Sequence, residues 1–212
     1  MKVNNYPVKS PSTGDRLFGS DSNGDQKQFD MYAVSSNVFQ YQIGEYVVDE
    51  GGVIFHRYLD GSNENYLVVS IIDQSPGQAW SNVASTLIGS SAQSTWNGLS
   101  NSNAIIGQAG FTSGAAKTCL DYSINSIDDW YLPAIDELSL LWQNRFNINR
   151  TLSGNSSFGT IVGAVQIAYG NYWSSTEYDL NNAWNFDFEY NSADSVSKSY
   201  AGYVRAIRKL SI

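Results

Sequence analysis

Cysteine and histidine, which serve as nucleophile and acid–base in many enzymes, occur once each in this chain, as Cys119 and His56. They lie far apart in sequence, and no other base is placed to activate the thiol, so a cysteine nucleophile is not indicated. Cys119 follows Ala115 and Ala116 and precedes Leu120 in a helical pattern, where it reads as a small buried hydrophobe. One cysteine permits no intrachain disulfide and no zinc site built on Cys pairs. Asp21-Ser-Asn-Gly-Asp25 gathers oxygen ligands, but its glycine comes too early for an EF-hand loop and no glutamate closes it. It reads as a turn. No catalytic residue, metal site or cofactor is expected.

The chemistry on offer is contact chemistry. Tyr178, Asp179, Asn181, Asn182, Asn185, Asp187, Tyr190, Asn191 and Tyr200 crowd one stretch, interleaved with Ser192, Ser197 and Ser199. Tyrosine supplies amphipathic contact area at small entropic cost, and Asn and Ser adapt their hydrogen bonds, so this composition suits binding loops. These nine residues are the candidate ligand-binding set. Trp173 and Trp184 are bulky enough to anchor a core beneath them. The hydroxyls of Ser174, Ser175 and Thr176 can satisfy irregular backbone nearby. Glu177 and Arg205 are expected to form a buried pair tying the last strand to the preceding loop.

The elements that would position these residues point to an α+β fold. Tyr46-Val-Val and Gly52-Val-Ile-Phe flank Asp49-Glu-Gly-Gly, a hairpin pattern. Tyr66 to Ile72 is a continuous apolar run of strand length. Trp80, Val83, Ala84, Leu87 and Ile88 are spaced for a short helix between Gln78 and Gly89, and the Ser/Asn/Gly-rich stretch 90–103 reads as a surface loop. Ser113 is placed to cap a helix through Leu120. A second helix starts near Pro133, with Asp136 and Glu137 at its positive end and Ile135, Leu138, Leu141 and Trp142 on its apolar face. Ala183 to Tyr190 alternates apolar with polar residues, a half-buried strand. A turn over 191–194 and a closing strand from Val204 follow.

Residues 1–42 differ. Asn4 to Gln28 is rich in Pro, Ser, Gly and Asp, with Leu17, Phe18 and Phe29 as isolated apolar positions, too few to close a core. This segment is expected to be an extended arm, with residues 43–212 forming the domain.

Read together, Asp129-Trp-Tyr-Leu-Pro, Asp136-Glu-Leu, Tyr172-Trp-Ser-Ser-Thr-Glu, Asn182-Ala-Trp and Tyr203-Val-Arg-Ala-Ile-Arg resemble the domain family named for the C-terminal region of a Legionella collagen-like adhesin. The resemblance covers roughly residues 44 to 210. It implies a C-type-lectin-like domain with two helices on small antiparallel sheets, the N- and C-terminal strands paired, and binding without catalysis. Formylglycine-generating enzymes share a distantly related fold, but their chemistry needs cysteine beyond Cys119. The Glu-Pro-Asn and Gln-Pro-Asp triplets of calcium-dependent lectins are absent. Thr13 to Phe29 is similar to the opening of phage fibre and appendage proteins, which implies virion attachment through residues 1–42 and a homotrimer. A retroelement-diversified binding protein and a structural capsid or tail decoration protein are the alternatives.

Charge narrows the partners. Twenty acidic and 12 basic residues give a net charge of −8, the wrong sign for nucleic acid. The first twenty residues hold no apolar stretch of signal-peptide length and no run anywhere reaches membrane-spanning length, so no membrane insertion is expected. The implied setting is a virion protein made in the host cytoplasm, whose partners are a host cell-surface glycan or protein and other virion proteins.

Overall fold

In the computed structural model the residues described are 16–20, 26–30 and 39–212, with side chains over 39–212. The chain divides into two units, residues 1–40 and 41–212. In the first, β1 (Arg16–Ser20) and β2 (Gln26–Asp30) pair antiparallel, with Leu17 opposite Phe29. The Asp21–Asp25 segment lies outside the described residues, as does most of the expected arm.

The second unit is built on two sheets and three α-helices. The apolar run expected as a strand is β5 (Asn63–Ser70), whose residues from Tyr66 onward are all buried. It pairs antiparallel with β4 (Gly52–Asp60), which in turn pairs with β3 (Tyr46–Val47) across the expected hairpin. On its other side β5 pairs with β11 (Ile207–Ser211), giving the order β11-β5-β4-β3. The C-terminal strand therefore lies beside the third strand of the domain, and β3 occupies the far edge. Gly52 is required here by close approach: a Cβ on it would fall 2.4 Å from the Val69 carbonyl oxygen.

The second sheet runs β6-β10-β7-β8-β9, formed by β6 (Ser75–Gln78), β7 (Asn171–Glu177), β8 (Asn182–Asp187), β9 (Ser192–Ser197) and β10 (Gly202–Val204). It is mixed, because β10 runs parallel to β7 with Tyr203 opposite Tyr172. The alternating stretch ends as a strand at Asp187. Phe188 to Asn191 form the turn, and Ser192 to Ser197 continue as β9 where a turn was expected over 191–194. The closing strand is broken at Arg205 and Ala206, where the chain passes from one sheet to the other.

Three helices, one more than the resemblance implies, complete the unit: α1 (Gly98–Ile106), α2 (Ala115–Leu120) and α3 (Ile135–Leu152). The Ser/Asn-rich segment 90–103 expected as a loop runs into α1, which is capped by the Asn97 side chain accepting from the Ser100 N–H. The segment 79–89, expected as a helix, has no helical turn. Trp80 is buried there because its indole N–H donates to the Ser174 carbonyl 2.7 Å away, not because it lies on an apolar helical face. Ser113 does not cap α2; Gly114 holds that position, where a Cβ would lie 2.4 Å from the Trp80 carbonyl oxygen. Pro133 precedes the N-cap of α3, Ala134. Thr176 accepts from the Ile135 N–H and Glu137 reaches back to the Ala134 N–H, so two of the helix's open donors are satisfied.

One core joins the sheets. Ile135, Leu138, Leu141 and Ile148 of α3 pack with Val53, Phe55, Leu67 and Val69 of one sheet and Tyr172 and Phe186 of the other. Among the described residues no helix is long and apolar enough to cross a membrane.

Candidate functional site

The site-bearing turns rest on β7, which is buried along six of its seven residues. Trp173 anchors it, donating its indole N–H to the Gln78 carbonyl, while Trp184 is only half-buried. The expected role of the hydroxyls is met by Ser174 and Thr176, which donate to backbone carbonyls, whereas the partner of Ser175 is a side chain. Ser174 donates to the Trp184 carbonyl, Thr176 to the Ser94 carbonyl, and Ser175 accepts from the Asn101 amide.

Glu177 closes β7, and its partner is not Arg205. Its Oε1 lies 2.6 Å from Lys198 Nζ, and neither side chain is exposed to solvent. The carboxylate also accepts from the Ile88 and Gly89 N–H groups. The ammonium donates to the Thr86 and Leu180 carbonyls and sits 5.1 Å from the centre of the Trp80 ring. Every charge-bearing group is hydrogen-bonded, the condition under which such a buried pair is tolerated. Arg205 is directed elsewhere by register. With Tyr203 set against Tyr172, the chain reaches Arg205 alongside the middle of β7 and turns into the other sheet short of Glu177. Its guanidinium donates to Asp73 at 2.9 Å, to the Ser70 carbonyl and to the Val165 carbonyl. Burial raises the Asp73 carboxyl above its ordinary range, and the Arg205 charge opposes that rise. Burial likewise pushes the Tyr172 hydroxyl up; it donates to Asp73 and accepts from the Ala168 N–H.

Two turns meet above the Glu177–Lys198 pair. In the β7–β8 turn the Tyr178 and Asp179 N–H groups donate to the Asn182 carbonyl, and Asp179 accepts from the Asn181 and Asn182 N–H groups. The Asn182 side-chain amide leads the contacts that hold the Asp179 carboxyl below its ordinary range. In the β9–β10 connection Tyr200 N–H donates to the Ser197 carbonyl. The two turns are joined by Lys198 N–H donating to the Asn181 carbonyl. Tyr178 stands edge-on to Trp184 with ring centres 5.0 Å apart, and Tyr200 edge-on to Trp173 at 6.1 Å. Both tyrosines remain about half exposed, as does Leu180.

The structure divides the nine candidate residues. Tyr178, Asp179, Asn181, Asn182 and Tyr200 share one end of the sheet. Tyr190 and Asn191 are in the β8–β9 turn at the other end, about 17 Å away by strand rise. Asp187 holds that second turn by accepting from the Glu189 and Tyr190 N–H groups, and Asn191 adopts φ 58°. Asn185 is buried between the ends, donating to the Asn171 side chain, and presents nothing to a partner. Two further residues matter at this site, the buried Lys198 and the half-exposed Leu180, and neither belongs to the nine. A lysine flanked by Ser197 and Ser199 carries no local sign of burial.

Among the described residues no group of three or more His, Cys, Asp or Glu side chains is arranged to hold a metal ion. No curated protein matches the chain. The family model described as the Lcl C-terminal domain matches residues 70–208. The matched segment includes both site turns, while β3, β4 and all but the last residue of β5 precede it. With these motifs, this fold and a match over most of its length, the chain belongs to the Lcl C-terminal domain family, whose domain is adhesin-like.

Proposed function

We propose that this protein is a non-enzymatic, fibre-like virion appendage of a phage, whose adhesin-like domain binds the host surface through the Tyr178–Tyr200 end of the five-stranded sheet. One observation carries the choice of site: two half-exposed tyrosines stand on turns joined to each other and pinned from below by a solvent-free ion pair. Such side chains are ordered before contact, so binding loses little further conformational entropy. The virion assignment rests on the likeness of Thr13 to Phe29 to phage fibre openings, and residues 1–42 would attach to the particle. A homotrimer would turn weak single contacts into firm adhesion by avidity.

The test is binding of the full chain to host cells. Y178A/Y200A is expected to abolish adhesion while Y190A leaves it unchanged. Adhesion that survives the double substitution removes the site assignment. Absence of adhesion by the wild-type chain, together with its recovery on particles, favours the decoration role instead.

A further inference from the structure

A second concavity lies away from those turns. A cross-strand row of the four-stranded sheet sets His56 of β4 and Lys209 of β11 on either side of Leu67 of β5. This row borders a cleft of about 460 Å³. Its lining is Leu67, His56, Tyr58 and Lys209 from the sheet together with Trp96, Asn97 and Leu99 from the chain around the start of α1. Trp96 is 58% exposed, although its segment is fixed: the Ser94 hydroxyl accepts from the Trp96 and Asn97 N–H groups. An exposed indole on a fixed backbone, sharing the cleft with Leu99 and Tyr58, offers apolar surface to a ligand.

The polar groups around this surface are mostly donors. Asn97 spends its oxygen capping α1, which leaves its amide N–H₂. Lys209 makes no ion pair among the described residues and lies 5.6 Å from the Tyr58 ring centre. His56 makes no hydrogen bond through its ring among them. The one carboxyl at the cleft, Glu137, has both oxygens occupied, by the Tyr131 hydroxyl and the Ala134 N–H. In a chain with 20 acidic and 12 basic residues, an unpaired lysine flanked by free donors is a local reversal of sign.

We infer that this cleft binds an apolar side chain lying next to a free carboxylate, as at a peptide C-terminus ending in Phe, Trp or Leu. The side chain packs between Trp96 and Leu99 over Leu67, and the carboxylate accepts from Lys209, His56 and Asn97. A hydroxyl-covered sugar ring fits less well, because the Leu67 and Leu99 walls would strip its hydration without replacing those hydrogen bonds. The inference is independent of the Tyr178–Tyr200 surface.

Calorimetric titration of the full chain with Gly-Gly-Phe, its C-terminal amide and N-acetyl-phenylalanine tests it. The acid is expected to bind at least tenfold tighter than the amide. W96A and K209Q are each expected to weaken acid binding at least tenfold with unchanged thermal midpoints, and Y178A/Y200A to leave it intact. N-acetyl-phenylalanine binding as tightly as the tripeptide identifies a single apolar acid as sufficient, and tighter tripeptide binding identifies a peptide end. Equal binding of acid and amide, no binding of any of the three at millimolar concentration, or unaltered binding by folded W96A overturns the assignment.

Discussion

The Glu177 carboxylate and the Lys198 ammonium lie 2.6 Å apart with neither side chain reaching solvent, directly beneath the two turns that carry Tyr178 and Tyr200. Replacing Lys198 by Met leaves a buried carboxylate with only the Ile88 and Gly89 N–H groups to balance it. The expected loss is about 3–5 kcal/mol, the usual cost of breaking a buried pair from one side. Denaturant unfolding of K198M measures it; a loss below 1 kcal/mol would show the pair to be dispensable.

Glu137 gives the domain a pH dependence. Burial raises its pKa from 4.5 to about 7, against the hydrogen bonds from Ala134 and Tyr131. Between those values the folded state holds a proton that the unfolded state has released, so the contribution of Glu137 to stability is fully present below about 4.5 and is lost as pH rises through about 7. The full span is on the order of 3 kcal/mol. Gln at this position mimics the protonated carboxyl, and E137Q is expected to flatten the stability profile between those pH values. A wild-type profile that rises across the same window contradicts this.

Gly98 begins α1 against the start of α3. A Cβ there would fall 2.5 Å from Glu137 Oε2, 2.6 Å from the Leu132 carbonyl oxygen and 2.7 Å from the Ala134 nitrogen. Two of these are backbone atoms that cannot step aside, so G98A is expected to destabilise by about 1–3 kcal/mol despite the better helix propensity of alanine. The shift in thermal midpoint is the readout, and a stabilised G98A would refute the packing described.

Cys119 is wholly buried in α2, and burial pushes its thiol pKa up. A thiol reagent is expected to leave the native chain unlabelled and to react at the rate of opening. Rapid stoichiometric labelling without denaturant would place the thiol at the surface.

Much of this architecture is legible in the sequence because burial leaves a periodic trace. The run from Tyr66, the alternation through β8 and the spacing of Leu138, Leu141 and Trp142 each identify an element. The failures occur where polar residues are inside and apolar ones are held by single hydrogen bonds. α1 is hidden because Asn101 and Ser102 are buried, Asn101 bonding to Ser94 and Ser102 to Leu132. Trp80 and its neighbours mimic a helix because a fixed loop can space apolar residues in the same way. The Glu177–Arg205 pairing failed for a topological reason, since the parallel register of β10 on β7 is not encoded in any local pattern.

The break at Arg205–Ala206 makes the last dozen residues common property of both sheets: β10 supplies the strand between β6 and β7, and β11 the edge beside β5. A polypeptide emerging from the ribosome as far as Tyr200 lacks a strand in each sheet and the Arg205 guanidinium that joins Ser70, Asp73 and Val165. Neither sheet can be completed before β10 and β11 are available, so native structure is acquired in a single step, after the most sequence-distant contacts have formed.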